Sequence, residues 1–244
     1  MPHDGPIHHS CMNWRTVMKK QELIYIVVSF LAMCLGPFRS SAQEGNLSDS
    51  DKEALLILAR KTLVQYLKDG NLPHVDESGL SKNLRENGAC FVTLMKKGVG
   101  LRGCIGIFER TDPLYRSVMG RAIAAALQDS RFPAVRFDEL KDIKLDISVL
   151  TEPQKLEFTS ADTLLKKLRP LKDGVILKTR FGSSTFLPQV WEQLPDKEQF
   201  LYHLCRKHGA PGMIWKEEPE KIEVQIYQAI VFGEEEYGGP EHVK

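Results

Sequence analysis

A cysteine lies close to two glycines and an arginine in Leu101-Arg102-Gly103-Cys104-Ile105-Gly106. A thiol becomes a nucleophile as its thiolate, which a nearby positive charge favours. Arg102 is the nearest source of such a charge. Glycine in an apolar strand forgoes side-chain packing and marks a bulge or a close backbone approach. The pattern therefore predicts a thiol that a ligand can reach, with a bias towards thiolate. Asp129, Asp146 and Glu192 are the candidate proton acceptors. Asp129 and Arg131 occur together in Asp129-Ser130-Arg131-Phe132-Pro133. They either face the same place as Cys104 or form a buried ion pair that fixes the turn.

Several elements must position these residues. Cys90 to Met95, a turn over Lys96 to Gly100 and the hexapeptide read as a β-hairpin. Such a hairpin sets Cys90 roughly opposite Cys104. A disulfide between them is one outcome and free thiols the other, since directly opposed strand positions often suit a disulfide badly. Before the hairpin, Ser50-Asp51-Lys52-Glu53 reads as a capping box for a helix with Leu55, Leu56, Ala59 and Leu63 at helical spacing, ended by Gly70. After it, Thr111-Asp112-Pro113 opens a helix with an alanine-rich face, and Pro133 forbids its continuation. Ile143 to Leu150 alternates at period two. Ile143, Leu145, Ile147 and Val149 point inward, while Asp146 and Ser148 lie on the other face, solvated or lining a groove. A short helix over Ser160 to Leu168 follows. Then come a strand at Val175 to Thr179, a turn at Gly182-Ser183-Ser184, and helices from Pro188 and from Asp196 to His208. In the last of these Phe200, Leu201, Leu204 and Cys205 face inward, and His203 and His208 read as surface residues. Glu223 to Phe232 reads as one long strand. Residues 234–244 read as a flexible tail. Hairpins mixed with helices give an α+β fold with mixed or antiparallel sheets and packed helices.

The chain has 244 residues, 42% hydrophobic and 27% charged, with a net charge of +1. It can bury a core, and the charge balance argues against nucleic acid as a partner. Residues 1–42 read as a leader. A start at Met18, the basic pair Lys19-Lys20, the apolar run Leu23 to Gly36 and the small residues Ser40-Ser41-Ala42 have the anatomy of a secretory signal peptide. The run falls short of the roughly 20 apolar residues of a membrane span. Export to the periplasm or exterior after cleavage near Ala42, with no stable membrane insertion, is the expectation. An uncleaved leader acting as an anchor is the alternative. Cys90, Cys104 and Cys205 remain after cleavage, an odd set that leaves at least one unpaired within the molecule. No metal-ligand cysteine pair, nucleotide-binding glycine loop or Gly-x-Ser-x-Gly elbow occurs, so neither a metal nor a cofactor is expected.

The hexapeptide resembles the hallmark motif of the AMMECR1-domain family, also called protein A of the AmmeMemoRadiSam system. Phe91-Val92-Thr93-Leu94, Asp129 to Pro133, Ile147 to Thr151, Thr185 to Glu192, Phe200-Leu201, Leu204-Cys205, Trp215 and Tyr227-Gln228-Ala229 follow in the family's order. The resemblance spans about Asp51 to Phe232, and residues 43–233 are identified as the domain. It implies two closely joined α/β sub-structures with a cleft near the Cys104 strand, lined by Leu101, Arg102, Gly103, Ile105, Gly106, Asp129, Arg131 and Phe132. No histidine belongs to the matched motifs, so a Cys-His pair is not supported. The family association implies a Memo-like protein and a radical S-adenosylmethionine enzyme as partners. The expected function is that of a ligand- or partner-binding accessory protein in a modification pathway. A thiol-dependent enzyme with Cys104 as nucleophile is the alternative.

Overall fold

The computed structural model describes residues 47–237. The leader, residues 1–42, and the end of the tail, residues 238–244, lie outside the described residues. In chain order the elements are helices α1 (Asp49–Asp69) and α2 (Lys82–Arg85), strands β1 (Ala89–Lys96) and β2 (Gly100–Ile107), helix α3 (Leu114–Leu127), and strands β3 (Ile143–Leu150) and β4 (Gln154–Lys155). Then follow α4 (Ala161–Lys167), β5 (Gly174–Thr179), β6 (Gly182–Phe186), α5 (Lys197–Lys207), α6 (Ile214–Glu217), β7 (Glu223–Tyr227) and β8 (Ala229–Gly233).

Two four-stranded sheets organise them, in the orders β2-β1-β3-β8 and β4-β7-β5-β6. Every strand pair is antiparallel, as the α+β expectation required. Directly opposed residues of an antiparallel pair share a face, so the register sorts the first sheet's side chains. Val92, Leu94, Ile143, Leu145 and Ile147 meet Leu55 and Leu63 of α1 and Val118, Ala122 and Ala125 of α3 in one core. Each such buried Leu or Ile contributes roughly 1.5–3 kcal/mol. The alanines let α3 lie close to the sheet. The second sheet packs with α4 and α5 around Trp191, Phe200, Leu204, Cys205 and Trp215. Trp191 stacks on Phe200 with ring centroids 3.6 Å apart. A small third cluster of Ala89, Leu150, Tyr227 and Phe91 joins the two halves.

Several elements differ from the sequence reading. The capping box begins two residues earlier. The Ser48 hydroxyl accepts from the Asp51 amide at 3.2 Å, and Asp51 accepts from the Ser48 amide at 3.0 Å. No side chain caps α3; its Leu114 amide donates to the Glu86 carbonyl instead. Gly182 and Ser183 belong to β6, so the turn falls on Arg180 and Phe181. The long last strand is two, β7 in one sheet and β8 in the other. Gln228 breaks it. Its amide donates to the Thr151 hydroxyl at 2.8 Å, and its carbonyl accepts from the Thr151 amide at 2.9 Å. The two crossings between sheets are thus clasped together. His208 is half-buried rather than on the surface, bonded to Ser184 at 2.8 Å and Thr179 at 3.0 Å.

The first four residues of the tail expected from Glu234 are ordered into the fold. Glu234–Tyr237 forms a 3-10 turn. Glu234 is buried, paired with Arg60 of α1 and accepting from the Leu145 amide at 2.9 Å. Arg60 in turn donates to the Leu140 and Ile143 carbonyls.

Candidate functional site

The hexapeptide lies on β2, an edge strand, and its alternation divides it between two faces. Gly103 and Ile105 pair with Leu94 and Val92 on the helix-covered face. A Cβ on Gly103 would meet the Ala125 carbonyl oxygen at 2.1 Å, so glycine there is what lets α3 approach. Cys104 and Gly106 pair with Thr93 and Phe91 on the opposite face. The Phe91 ring covers Gly106, where a Cβ would meet it at 2.2 Å. Leu94 pairs with Gly103 but Met95 with Leu101, so Arg102 is the extra residue of a bulge.

That bulge turns Arg102 away from the thiol. Its guanidinium donates to both carboxylate oxygens of Glu139, at 3.1 and 3.2 Å, and to the Pro133 and Ala134 carbonyls. Arg102 therefore anchors the segment after α3 and does not charge Cys104 as the sequence suggested. The Arg102 and Lys96 hydrogen bonds hold the Glu139 carboxyl down at about 2. Glu139 escaped the sequence reading because nothing in its spacing ties it to the hairpin.

Asp129 and Arg131 do meet Cys104, at its backbone. The Cys104 amide donates to Asp129 Oδ2 at 2.8 Å, and Arg131 donates to the Cys104 carbonyl at 3.4 Å. Arg131 also grips both oxygens of Asp129, at 2.6 and 2.8 Å. Burial alone would raise the Asp129 carboxyl; the hydrogen bonds from Arg131 and Cys104 outweigh it and hold it low. Asp129 and Arg131 thus form an ion pair that also binds the Cys104 backbone. The Arg131 guanidinium lies over the Phe132 ring, 5.3 Å from its centroid.

The thiol itself points to the sheet face away from α1 and α3. The Thr93 hydroxyl donates to Cys104 Sγ at 3.2 Å. Burial pushes the thiol above its ordinary value. The Thr93 bond and the Arg131 charge oppose that rise without cancelling it. Cys104 is therefore a neutral thiol at neutral pH, against the expected thiolate bias. Cys90 pairs with Ile107, faces the core and is a free thiol like Cys104 and Cys205, so the disulfide alternative is not realised. Burial pushes the Cys90 thiol up to about 12.

The register extends the Cys104 row across the sheet. Thr93 pairs with Cys104 on one side and Asp146 on the other, and Asp146 pairs with Gly233. The neighbouring row runs Gly106, Phe91, Ser148, Val231. Asp146 and Ser148, read from the sequence as facing away from the core, therefore line one strip with Cys104. Burial, then the charges of Glu234 and Glu236, push the Asp146 carboxyl up to about 6. Glu192 lies exposed in a 3-10 turn of the second half. Thr93 was legible only as part of a strand; pairing across the hairpin is what makes it the link between Cys104 and Asp146.

A cavity of about 170 Å³ lies elsewhere, lined among others by Leu47, Asn83, Gly88, Arg110 and Leu114, and by none of the residues expected at the site. Among the described residues no group of three or more His, Cys, Asp or Glu side chains can hold a metal ion. Asp76 caps a 3-10 turn, and Glu77 accepts from Tyr115 and Arg116. Among the described residues no helix is long and apolar enough to cross a membrane.

The family model described as AMMECR1 matches residues 56–232. A protein of Methanopyrus kandleri is 39% identical over 197 residues, covering 80% of this chain and 93% of the relative. One of Methanosarcina mazei is 36% identical over 196 residues, covering 79% and 96%. The crystal structure of an uncharacterized protein from Pyrococcus horikoshii superposes with a TM-score of 0.66 at 32% identity, over 77% of this chain and 93% of that one.

Proposed function

The chain belongs to the AMMECR1 family, and from that premise we propose that it is a binding or accessory protein whose working surface is the strip of Cys104, Thr93, Asp146 and Ser148. One observation carries this reading. Polar groups with unfilled hydrogen-bonding capacity share one sheet face, while the rest of the hexapeptide is committed to structure. The Asp146 carboxyl and the Ser148 hydroxyl have no hydrogen-bond partner among the described residues, although Ser148 is only 6% exposed. Neither group is among the buried atoms left without a partner, so both reach solvent, and a bound group pairs with them by displacing water. Gly103, Arg102, Asp129 and Arg131 then serve to hold β2 in place.

The partners to test are a Memo-like protein and a radical S-adenosylmethionine enzyme, within a modification pathway. The leader bears on that choice. An exported copy would not share a compartment with an enzyme that needs reducing conditions, so N-terminal sequencing of the protein from its own cells decides whether these partners can be met. A photo-crosslinking residue at Val231, 47% exposed on the same sheet face, tests the surface itself. The control is Phe181, equally exposed at the tip of the second sheet. Adducts specific to Val231 support the reading; none, or the same set from both sites, overturns it.

Thiol-dependent catalysis by Cys104 is the second reading. What favours it is Asp146, whose carboxyl burial and the charges of Glu234 and Glu236 push up to about 6, in the same cross-strand row.

A further inference from the structure

This inference rests on the binding reading above and names the ligand's chemistry. We propose that the Asp146 end of the strip receives a primary ammonium group, as on a lysine side chain or a small alkylamine, with the ligand's stem crossing β1 towards Cys104 on the Phe91 and Met95 side chains that flank the buried Thr93.

The Asp146 carboxyl is half-buried, and among the described residues it has neither an ion pair nor a hydrogen bond. It is held by fit to the backbone: a Cβ on Gly233 of β8 would meet Asp146 Oδ1 at 2.1 Å. The charged groups around it are predominantly acidic. Glu234 and Glu236 act on it from the turn after β8, and Lys144 acts from its own strand. Lys144 is itself engaged by Glu235, and Glu234 by Arg60 of α1. From β1 it is faced by the neutral Thr93, and beyond that by the Cys104 thiol of β2. Such surroundings repel an anion and favour a cation. A divalent metal would need more ligands than the described residues bring together. An ammonium needs only acceptors, and Asp146 with the Ser148 hydroxyl supplies them.

The strip also suits an alkyl stem. Phe91 and Met95 flank Thr93 on the same face of β1. Two strand spacings, roughly 10 Å, separate the Cys104 and Asp146 strands, so a ligand anchored at Asp146 passes over apolar surface before it reaches the thiol. An ammonium binds the ionised carboxylate, and burial with the two glutamates holds Asp146 at about 6. Affinity therefore falls as pH drops through that value, by about tenfold from pH 7.5 to pH 5.

The test is an NMR titration of the full chain with N-acetyl-lysine methylamide, n-pentylamine and the uncharged N-acetyl-norleucine methylamide, at pH 7.5 and pH 5. The expected result is saturable shifts at the amides of Asp146, Ser148 and Gly233 with one or both amines. Binding should be about tenfold weaker at pH 5, and lost in Asp146→Asn while the remaining spectrum is unchanged. The tighter of the two amines identifies the source as peptide or small molecule. If the norleucine compound binds these amides equally well, or Asp146→Asn binds like the parent, the ammonium inference is overturned and the binding surface stands. If no probe shifts them the inference is equally overturned, and the Val231 crosslink alone then judges the surface.

Discussion

The Cys104 amide donates to Asp129 Oδ2 at 2.8 Å, from the side of β2 where the sheet ends. A side chain stands there in place of another strand, and Arg131 completes it at the Cys104 carbonyl. Unpaired edge groups otherwise invite strand addition. Replacing Asp129 with Ala leaves the amide and the Arg131 guanidinium without their partner, at a cost of about 2 kcal/mol. Urea unfolding should show that loss, and hydrogen exchange should show the Cys104 amide opening at least tenfold faster, with the Val92 amide on the adjacent strand unchanged. Exchange at the parental rate would mean that Asp129 does not hold the edge.

The thiol should be a slow nucleophile. Burial raises it above its ordinary value, and Arg102, the charge expected to lower it, is spent on Glu139. Alkylation of Cys104, followed peptide by peptide, should reach its half-maximal rate at a higher pH than a free thiol, near 8.5. Half-maximal reaction below that value would favour the catalytic reading.

How much was legible in advance follows from which signals are local. The period of Ile143 to Leu150 gave both the buried face and the outward Asp146 and Ser148, because alternation is a property of the strand alone. The two glycines announced close approach, and Ala125 and Phe91 are what approaches. The register was not legible. The turn, which pairs Lys96 with Gly100, would by itself set Cys104 opposite Val92, and the extra residue at Arg102 moves it one place further, to Thr93 rather than Cys90. Nor was the split of the last strand, since Gln228 breaks it through a bond to Thr151, far away in sequence. Arg60 with Glu234 and Arg102 with Glu139 escaped for the same reason: a charge reads as solvated until its distant partner is known.

Glu139 should govern acid stability. Its folded value is depressed to about 2 from the ordinary 4.5 by Arg102 and Lys96. The stability this confers is present in full above pH 4.5 and is lost as pH falls towards 2, an amount on the order of 2–3 kcal/mol. Glu139→Gln should lose about that much at pH 7 and nothing further at pH 2. Parallel unfolding curves of parent and variant across this window would show that the Arg102 anchor does not depend on charge.

The Arg60–Glu234 pair ties the end of the domain to α1. Glu234→Ala leaves the Arg60 guanidinium buried without its carboxylate, which costs about 3–5 kcal/mol. Truncation after Gly233 should cost about the same, whereas truncation after Tyr237 should cost little. Thermal melts of the three forms show whether Glu234 is structural.

Asp146 should be a group the fold tolerates at a loss. Its folded value is raised to about 6 from the ordinary 3.8. Below the ordinary value the carboxyl is protonated in both states and costs nothing. As pH rises towards 6 the unfolded chain releases its proton first, so stability falls, and above 6 it stays lower by roughly 2–3 kcal/mol. Asp146→Asn should therefore raise the melting temperature at pH 7.5 and leave it unchanged at pH 3.5. A carboxyl kept at such cost is what a binding site requires and a purely structural strand does not. A variant no more stable than the parent at pH 7.5 would remove that argument, and with it the physical case for Asp146 as the group that awaits a ligand.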